Sequence, residues 1–154
     1  GIYTFGGDLN TAEDFTMTKM GDFNVSFKFK MTADSDTLSL LFAFGDPAAN
    51  FGGFQLRIQN AAGGLRAALI ITGVVGKLLI HPTIQVVGAA EQTVLVTRRG
   101  LLYTLTIDGV SVSATASNLG ADIHPNSLIL GRWSTYDPTW DFVGTIRDFV
   151  VEKV

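Results

Sequence analysis

The stretch from Gln92 to Ser117, QTVLVTRRGLLYTLTIDGVSVSATAS, most constrains what this chain can fold into. Asp108-Gly109 carries the signature of a two-residue type I′ hairpin turn, which needs positive φ at both central positions. A turn there pairs Ile107 with Val110, Leu105 with Val112, Tyr103 with Ala114 and Leu101 with Ala116. A second tight turn at Arg99-Gly100 would pair Arg98 with Leu101, Val96 with Tyr103 and Val94 with Leu105. Both registers send the same residues to one face: Val94, Val96, Leu101, Tyr103, Leu105, Ile107, Val110, Val112, Ala114 and Ala116. The other face carries Thr93, Thr97, Thr104, Thr106, Ser111, Ser113 and Thr115, with only Leu95 and Leu102 apolar. A change of one residue in the pairing register of either hairpin would destroy this agreement. The stretch therefore reads as a three-stranded antiparallel meander, apolar inside and hydroxyl-rich outside.

The same period of two recurs elsewhere. In Phe23 to Met31, Phe23, Val25, Phe27, Phe29 and Met31 oppose Asn24, Ser26, Lys28 and Lys30, the pattern of a strand with one face in water. Thr37 to Phe44 is more uniformly apolar and reads as a more buried strand. Gly53 to Asn60 alternates again, with Phe54, Leu56 and Ile58 against Gln55, Arg57 and Gln59. Further strands are expected at Ile2 to Phe5, Phe15 to Met17, Leu65 to Thr72, Ile84 to Val87 and Ser127 to Trp133. Lys77 to His81 reads as a strand ended by Pro82. Phe142 to Val154 closes the chain as a strand with a bulge near Arg147-Asp148. No segment has sustained helical periodicity. Many short strands separated by glycine-rich turns indicate an all-β sandwich or barrel.

The 154 residues suit one domain, spanning 1–154, that can bury a core without disulfides, and there is no cysteine. Net charge is -3 with no basic stripe, which argues against a nucleic-acid partner. The run from Leu69 to Ala90 is the most apolar, yet Lys77, His81, Pro82 and Gln85 interrupt it, so no membrane insertion is expected. A hydrophobic fraction of 47% against 16% charged points to covered surface, in a homo-oligomer or against neighbouring domains. An opening at Gly1 without Met or a leader suggests an excised domain or processed product.

The ordered set FNVSFKFKM, FGGFQLRI, V-x-V-T-R, LYTLTIDGV, LILGRW and a closing GTIRDFVV resembles the concanavalin A-like lectin/glucanase superfamily, nearest its laminin-G-like branch, over about Phe23 to Val154. The resemblance implies an antiparallel two-sheet jelly-roll β-sandwich with neighbouring terminal strands. It also implies glycan binding at a loop rim, sometimes with calcium there. Such domains serve in phage tail and capsid-associated proteins, secreted bacterial glycan-binding proteins and adhesins, so an extracellular or virion-surface location is expected. The paired-carboxylate strand E-x-D-x-x-E of the catalytic branch is missing, and no G-x-S-x-G elbow exists, so the chain reads as a non-enzyme.

Candidate ligand residues lie between Trp133 and Asp141. Aromatic rings stack on the apolar face of a sugar while charged groups bind its hydroxyls. Tyr136 and Trp140 are the candidate platforms, with Asp137, Asp141 and Arg132 as polar partners; Trp133 reads as a packing residue. Asp46 and Asn50 carry the hard oxygens that calcium takes, but they also suit a self-capped turn. His81 and His124 each precede proline, lack a third metal ligand and read as surface or strand-end residues. The hydroxyl-rich meander face could line a glycan groove only if aromatic side chains from other strands share it; otherwise it is a solvated outer face.

Overall fold

The computed structural model describes residues 2–4, 22–33, 38–44, 54–71, 77–115, 128–131 and 142–154. They form β1 (Ile2–Thr4), β2 (Phe23–Ala33), β3 (Leu38–Phe44), β4 (Phe54–Ala61), β5 (Gly64–Ile71) and β6 (Lys77–Ile84). These are followed by β7 (Gln92–Arg99), β8 (Leu102–Ile107), β9 (Val110–Thr115), β10 (Leu128–Leu130) and β11 (Val143–Lys153). One six-stranded sheet has the order β1-β11-β2-β7-β8-β9, and a five-stranded sheet has the order β10-β3-β4-β5-β6. The strand pairings are antiparallel, and the terminal strands β1 and β11 are neighbours, as the resemblance implied. No helix among the described residues is long and apolar enough to cross a membrane.

The core is built from the alternations read in the sequence. Phe23, Val25, Phe27, Phe29 and Met31 of β2 are at most 3% exposed and face Leu56, Ile58, Ala67 and Leu69 of the other sheet in one cluster. Burial of these side chains is the main driving force for closing the two layers, at roughly 1.5–3 kcal/mol for each large one. Phe27 meets Phe42 edge-on at a centroid distance of 5.6 Å, and Phe149 lies 5.5 Å from Phe27, so aromatic contacts staple the sheets together.

The hairpin at Asp108-Gly109 has the expected register, Ile107↔Val110, Leu105↔Val112 and Tyr103↔Ala114. Asp108 and Gly109 have φ of 47° and 82°, the positive pair that a type I′ turn demands. The Asp108 carboxylate also accepts from the Thr93 N–H at 2.8 Å, tying the hairpin tip to β7. No atom lies within 4 Å of a Cβ built on Gly109, so its constraint is conformational alone. Gly109→Ala should therefore cost only about 1–2 kcal/mol, read as a lowered midpoint in urea unfolding.

Four expectations are corrected. The β7–β8 turn is centred on Gly100-Leu101, not Arg99-Gly100, so Val94 pairs with Ile107, Val96 with Leu105 and Arg98 with Tyr103. Gly100 has φ 58° at the first central position, the requirement of a type II′ turn, and the Asp22 carboxylate accepts its N–H at 2.7 Å. Leu101 and Val110, placed inside from sequence, lie within one turn and beside the other and are 37% and 46% exposed. Pro82 does not end β6, because β6 is an edge of its sheet and a register shift between Arg66 and Ala68 of β5 accommodates the ring; the strand stops at Ile84. His81 is fully buried instead of lying at the surface. The bulge expected near Arg147-Asp148 is present, with a register shift between Arg147 and Val150 and φ 54° at Asp148.

Candidate functional site

Arg132, Tyr136, Asp137, Trp140 and Asp141, together with Asp46 and Asn50, lie outside the described residues, as do Trp133, His124 and the Phe15 to Met17 segment. The structure does define where the two candidate loops are rooted. The chain leaves the five-stranded sheet at Gly131 and re-enters at Phe142, whose N–H donates to the Gly131 carbonyl at 2.8 Å. The Gly131 N–H in turn donates to the Leu41 carbonyl at 2.9 Å. Residues 132–141 are thus closed at the base, where the chain passes from one sheet to the other. Residues 45–53 are rooted on Phe44 and Phe54, which pair with each other. The two roots are about 10 Å apart along β3, at roughly 3.3 Å per strand residue.

Two polar faces lie on the sandwich itself. The first is the outside of the six-stranded sheet. Pairing aligns Asn24, Thr97, Thr104 and Ser113 in one row, and Ser26, Leu95, Thr106 and Ser111 in the next. The hydroxyls bond one another, Thr104 to Ser113 and Thr106 to Ser111, each at 2.7 Å. Beside the β11 bulge, Ser26, Lys28, Thr93, Asp148 and Val150 line a shallow pocket of about 240 Å³ with Phe27. At its flank the Arg147 guanidinium donates to both Glu91 carboxylate oxygens. That bond holds the Glu91 carboxyl below, and the Arg147 guanidinium above, their ordinary values. The described aromatic side chains all sit in or against the core. This face therefore offers hydroxyls already satisfied by each other and no stacking platform, the pattern of a solvated outer face filled with β-branched threonine.

The second face is the outside of the five-stranded sheet, along its central strand β4. Leu56 and Ile58 point into the core, so Gln55, Arg57 and Gln59 point outward. Gln55 and Arg57 have small or apolar cross-strand partners, Ala43 and Ile70 beside Gln55, Leu40 and Ala68 beside Arg57, whereas Gln59 lies beside Leu38 and Arg66. Leu40, Ala43 and Ala68 are at most 1% exposed and Gln55 is 6% exposed, so this outward face is sheltered. Arg57 Nε donates to Gln59 Oε1 at 2.6 Å. Burial pulls the Arg57 guanidinium below the ordinary arginine value. Gln55 Oε1 is buried and accepts no hydrogen bond.

The alternation in the sequence sets these three side chains opposite Phe54, Leu56 and Ile58 without singling them out. The signal was present: a Gln-x-Arg-x-Gln row beside a strand, Thr37 to Phe44, apolar on both faces. A polar row next to such a neighbour is a row in a sheltered floor. Among the described residues no group of three or more His, Asp or Glu side chains converges to hold a metal.

No protein-family model matches the chain, and no curated protein matches it in sequence. Solved structures do match its fold. The CBM40 of the Ruminococcus gnavus IT-sialidase, bound to alpha2,3 sialyllactose, superposes with a TM-score of 0.72 at 16% identity, covering 99% of this chain and 88% of that one. Domains LG4-5 of the mouse laminin alpha1 chain match with a TM-score of 0.70 at 16% identity, over 95% of this chain. The leech intramolecular trans-sialidase matches with a TM-score of 0.74 at 16% identity, over 99% of this chain. The chain spans 38% of the laminin chain and 25% of the leech one. At these identities the likeness is one of fold, the concanavalin A-like jelly roll with its laminin-G-like arrangement of sheets.

Proposed function

We propose that the chain is a non-catalytic carbohydrate-binding module of a surface or virion protein. The observation that carries this reading is the superposition on 88% of a CBM40 solved with a sialyllactose. Fold alone never assigns function, so the chemistry must come from this chain's residues. Tyr136 and Trp140 supply stacking planes in the segment closed at Gly131 and Phe142, and Asp137, Asp141 and Arg132 supply hydrogen bonds to sugar hydroxyls. Asp46 and Asn50 carry oxygens of the kind calcium takes.

Calorimetric titration with an oligosaccharide panel, including sialyllactose, tests the reading. The Tyr136→Ala, Trp140→Ala double variant should bind about tenfold or more weakly, as each stacked ring contributes on the order of 1 kcal/mol. Equal affinity in both proteins would take this segment out of the mechanism. Chelation followed by calcium replacement should lower and then restore affinity; indifference to both would dismiss the metal.

A second reading, an assembly domain of a phage tail, capsid or other multimeric surface structure that binds no sugar, is favoured by one observation. Leu78, Ile84, Val86 and Val87, on and just beyond the edge strand β6, are 49%, 51%, 61% and 40% exposed. Apolar side chains gathered at a sheet edge suit contact with a second copy or a neighbouring domain. A tight oligomer in sedimentation together with no glycan binding would replace the first reading with this one.

A further inference from the structure

We infer that β9 is a docking edge for a second copy of this chain, joining two six-stranded sheets edge to edge about a two-fold axis at Ser113. The inference does not depend on the carbohydrate reading, and it concerns a different surface from the apolar residues on and beyond β6.

The four sheet edges among the described residues are not alike. β1 and β10 have three residues each, too short for a ladder. β6 has eight, but Pro82 lacks an N–H, and the register of β6 against β5 shifts between Arg66 and Ala68. Such features keep an edge from pairing with other chains. β9 has none of them. Its six residues, VSVSAT, include no proline, glycine or charge. Its register against β8 runs from Val110 to Thr115 without a shift, and Ser111, Ser113 and Thr115 are exposed. Among the described residues β9 is therefore the one edge that is both long enough to pair and unprotected.

Hydrogen-bond phase decides which backbone groups of β9 face outward. In an antiparallel pair, alternate residues turn their N–H and C=O to the same neighbour. The Asp108 N–H donates to the Thr93 carbonyl at 3.0 Å, so Thr106 and Thr104, two and four residues earlier, turn theirs to β7. Ile107, Leu105 and Tyr103 then turn theirs to β9, where they face Val110, Val112 and Ala114. Ser111, Ser113 and Thr115 are left with N–H and C=O directed away from β8, along the exposed edge.

A second copy fits this row. Directly opposed residues of antiparallel strands share a face, so a two-fold axis must pass through a residue and not between two. An axis at Val112 would leave Thr115 unpaired. An axis at Ser113 pairs Ser113 with its twin, Ser111 with Thr115 and Val112 with Ala114, and it uses all the outward N–H and C=O groups. The hydroxyl rows, in which Thr104 bonds Ser113 and Thr106 bonds Ser111 at 2.7 Å, continue across the joint. Val112 and Ala114, half-buried at the open side of the core, cover one another. The strand carries no charge to repel its copy. A hydrophobic fraction of 47% against 16% charged also calls for covered surface.

Analytical ultracentrifugation of the full chain over a concentration series, beside Ser113→Pro, Ser113→Lys and Thr97→Lys, tests the joint. Wild type should dimerise. Proline is tolerated where the lost N–H faces outward, so Ser113→Pro keeps the β8 pairing and removes both bonds at the axis. It should dimerise about tenfold or more weakly, the worth of two hydrogen bonds. Ser113→Lys sets like charges directly opposite each other and should also weaken the dimer; it carries the comparison if proline unfolds β9. Thr97→Lys adds the same charge in the same row, two strands in, and should dimerise as wild type does. Cross-linking is the second arm. The chain has no cysteine, so Ser113→Cys has a single thiol, and its twin's Cα would lie about 5.5 Å away across a hydrogen-bonded pair. A short bis-maleimide should join the two. Thr97→Cys, five strand spacings or roughly 24 Å from its twin, should stay unjoined. A monomer at every concentration, a dimer indifferent to both Ser113 variants, equal weakening by Thr97→Lys, or equal cross-linking at the two positions would each overturn the assignment, and none of them bears on sugar binding at the rim.

Discussion

Gly144→Ala is expected to destabilise the protein by about 4 kcal/mol or more, at the extreme of single substitutions. For a chain of this length that lowers the melting temperature by roughly 10 °C or more. Gly144 lies in β11 where the register against β2 shifts, with Val143 opposite Ala33 and Gly144 opposite Met31. A Cβ there would stand 2.0 Å from the Lys30 carbonyl oxygen and 2.8 and 2.9 Å from two ring carbons of Phe142. None of these neighbours can retreat cheaply. The Lys30 carbonyl belongs to β2, which is paired on both sides in the six-stranded sheet. The Phe142 ring is 2% exposed and packs edge-on against Phe29 at 6.2 Å. Relief would have to separate β11 from β2, breaking the seam that holds the last strand in place. Thermal denaturation of Gly144→Ala beside Val143→Ala is the measurement. Val143 is 47% exposed, so its truncation should move the midpoint by no more than a few degrees. A Gly144→Ala protein as stable as Val143→Ala would show that the close approach of β11 to β2 is wrong.

The contrast with Gly109 shows what local sequence can carry. At Gly109 the backbone itself demands glycine, and the neighbouring aspartate announces the turn, so the requirement is written in adjacent residues. At Gly144 the requirement comes from a carbonyl more than a hundred positions away in the chain, and only the paired strands reveal it. The same division runs through the fold. β2 and the meander were legible because one face is in the core and one in water, so period two marks each residue. The register between β7 and β8 was not. Moving the turn from Arg99-Gly100 to Gly100-Leu101 shifts partners by two residues and leaves every side chain on its original face. Burial pattern is blind to such a shift; only the need for positive φ at the first turn position separates the two.

The polar row on β4 was hidden for a related reason. Alternation told correctly that Gln55 and Arg57 oppose Leu56 and Ile58, but not whether the outward side is solvated. Whether an outward face is wet depends on the whole sheet, not on one strand. The near-zero exposure of Leu40, Ala43 and Ala68, contributed by β3 and β5, is what shows this face to be sheltered. Of the rim candidates, sequence supplied residue chemistry, and the structure supplies the root at Gly131 and Phe142.

His81→Leu is expected to lower stability by about 2–4 kcal/mol, the cost of removing two buried hydrogen bonds and leaving their partners behind. His81 is on β6, the edge of the five-stranded sheet, and is fully buried. Its Nδ1 accepts from the Thr83 N–H at 3.2 Å, so the ring proton is on Nε2, which donates to the Val110 carbonyl at 2.8 Å. Val110 opens β9, the far edge of the six-stranded sheet. One imidazole thus joins the edges of both sheets. Leucine fills comparable space but can neither accept from Thr83 nor donate to Val110. Apolar packing would persist, and the seam between β6 and β9 would lose its directional bond. Hydrogen exchange tests this more sharply than a melt alone. In His81→Leu the amides of β6 and β9 should exchange faster while those of β2 and β7, deep in the six-stranded sheet, follow only the global loss of stability. Uniform acceleration across all strands would mean that His81 serves only as core volume. Unchanged protection at β6 and β9 would mean that the contact between the two edges is made by other groups.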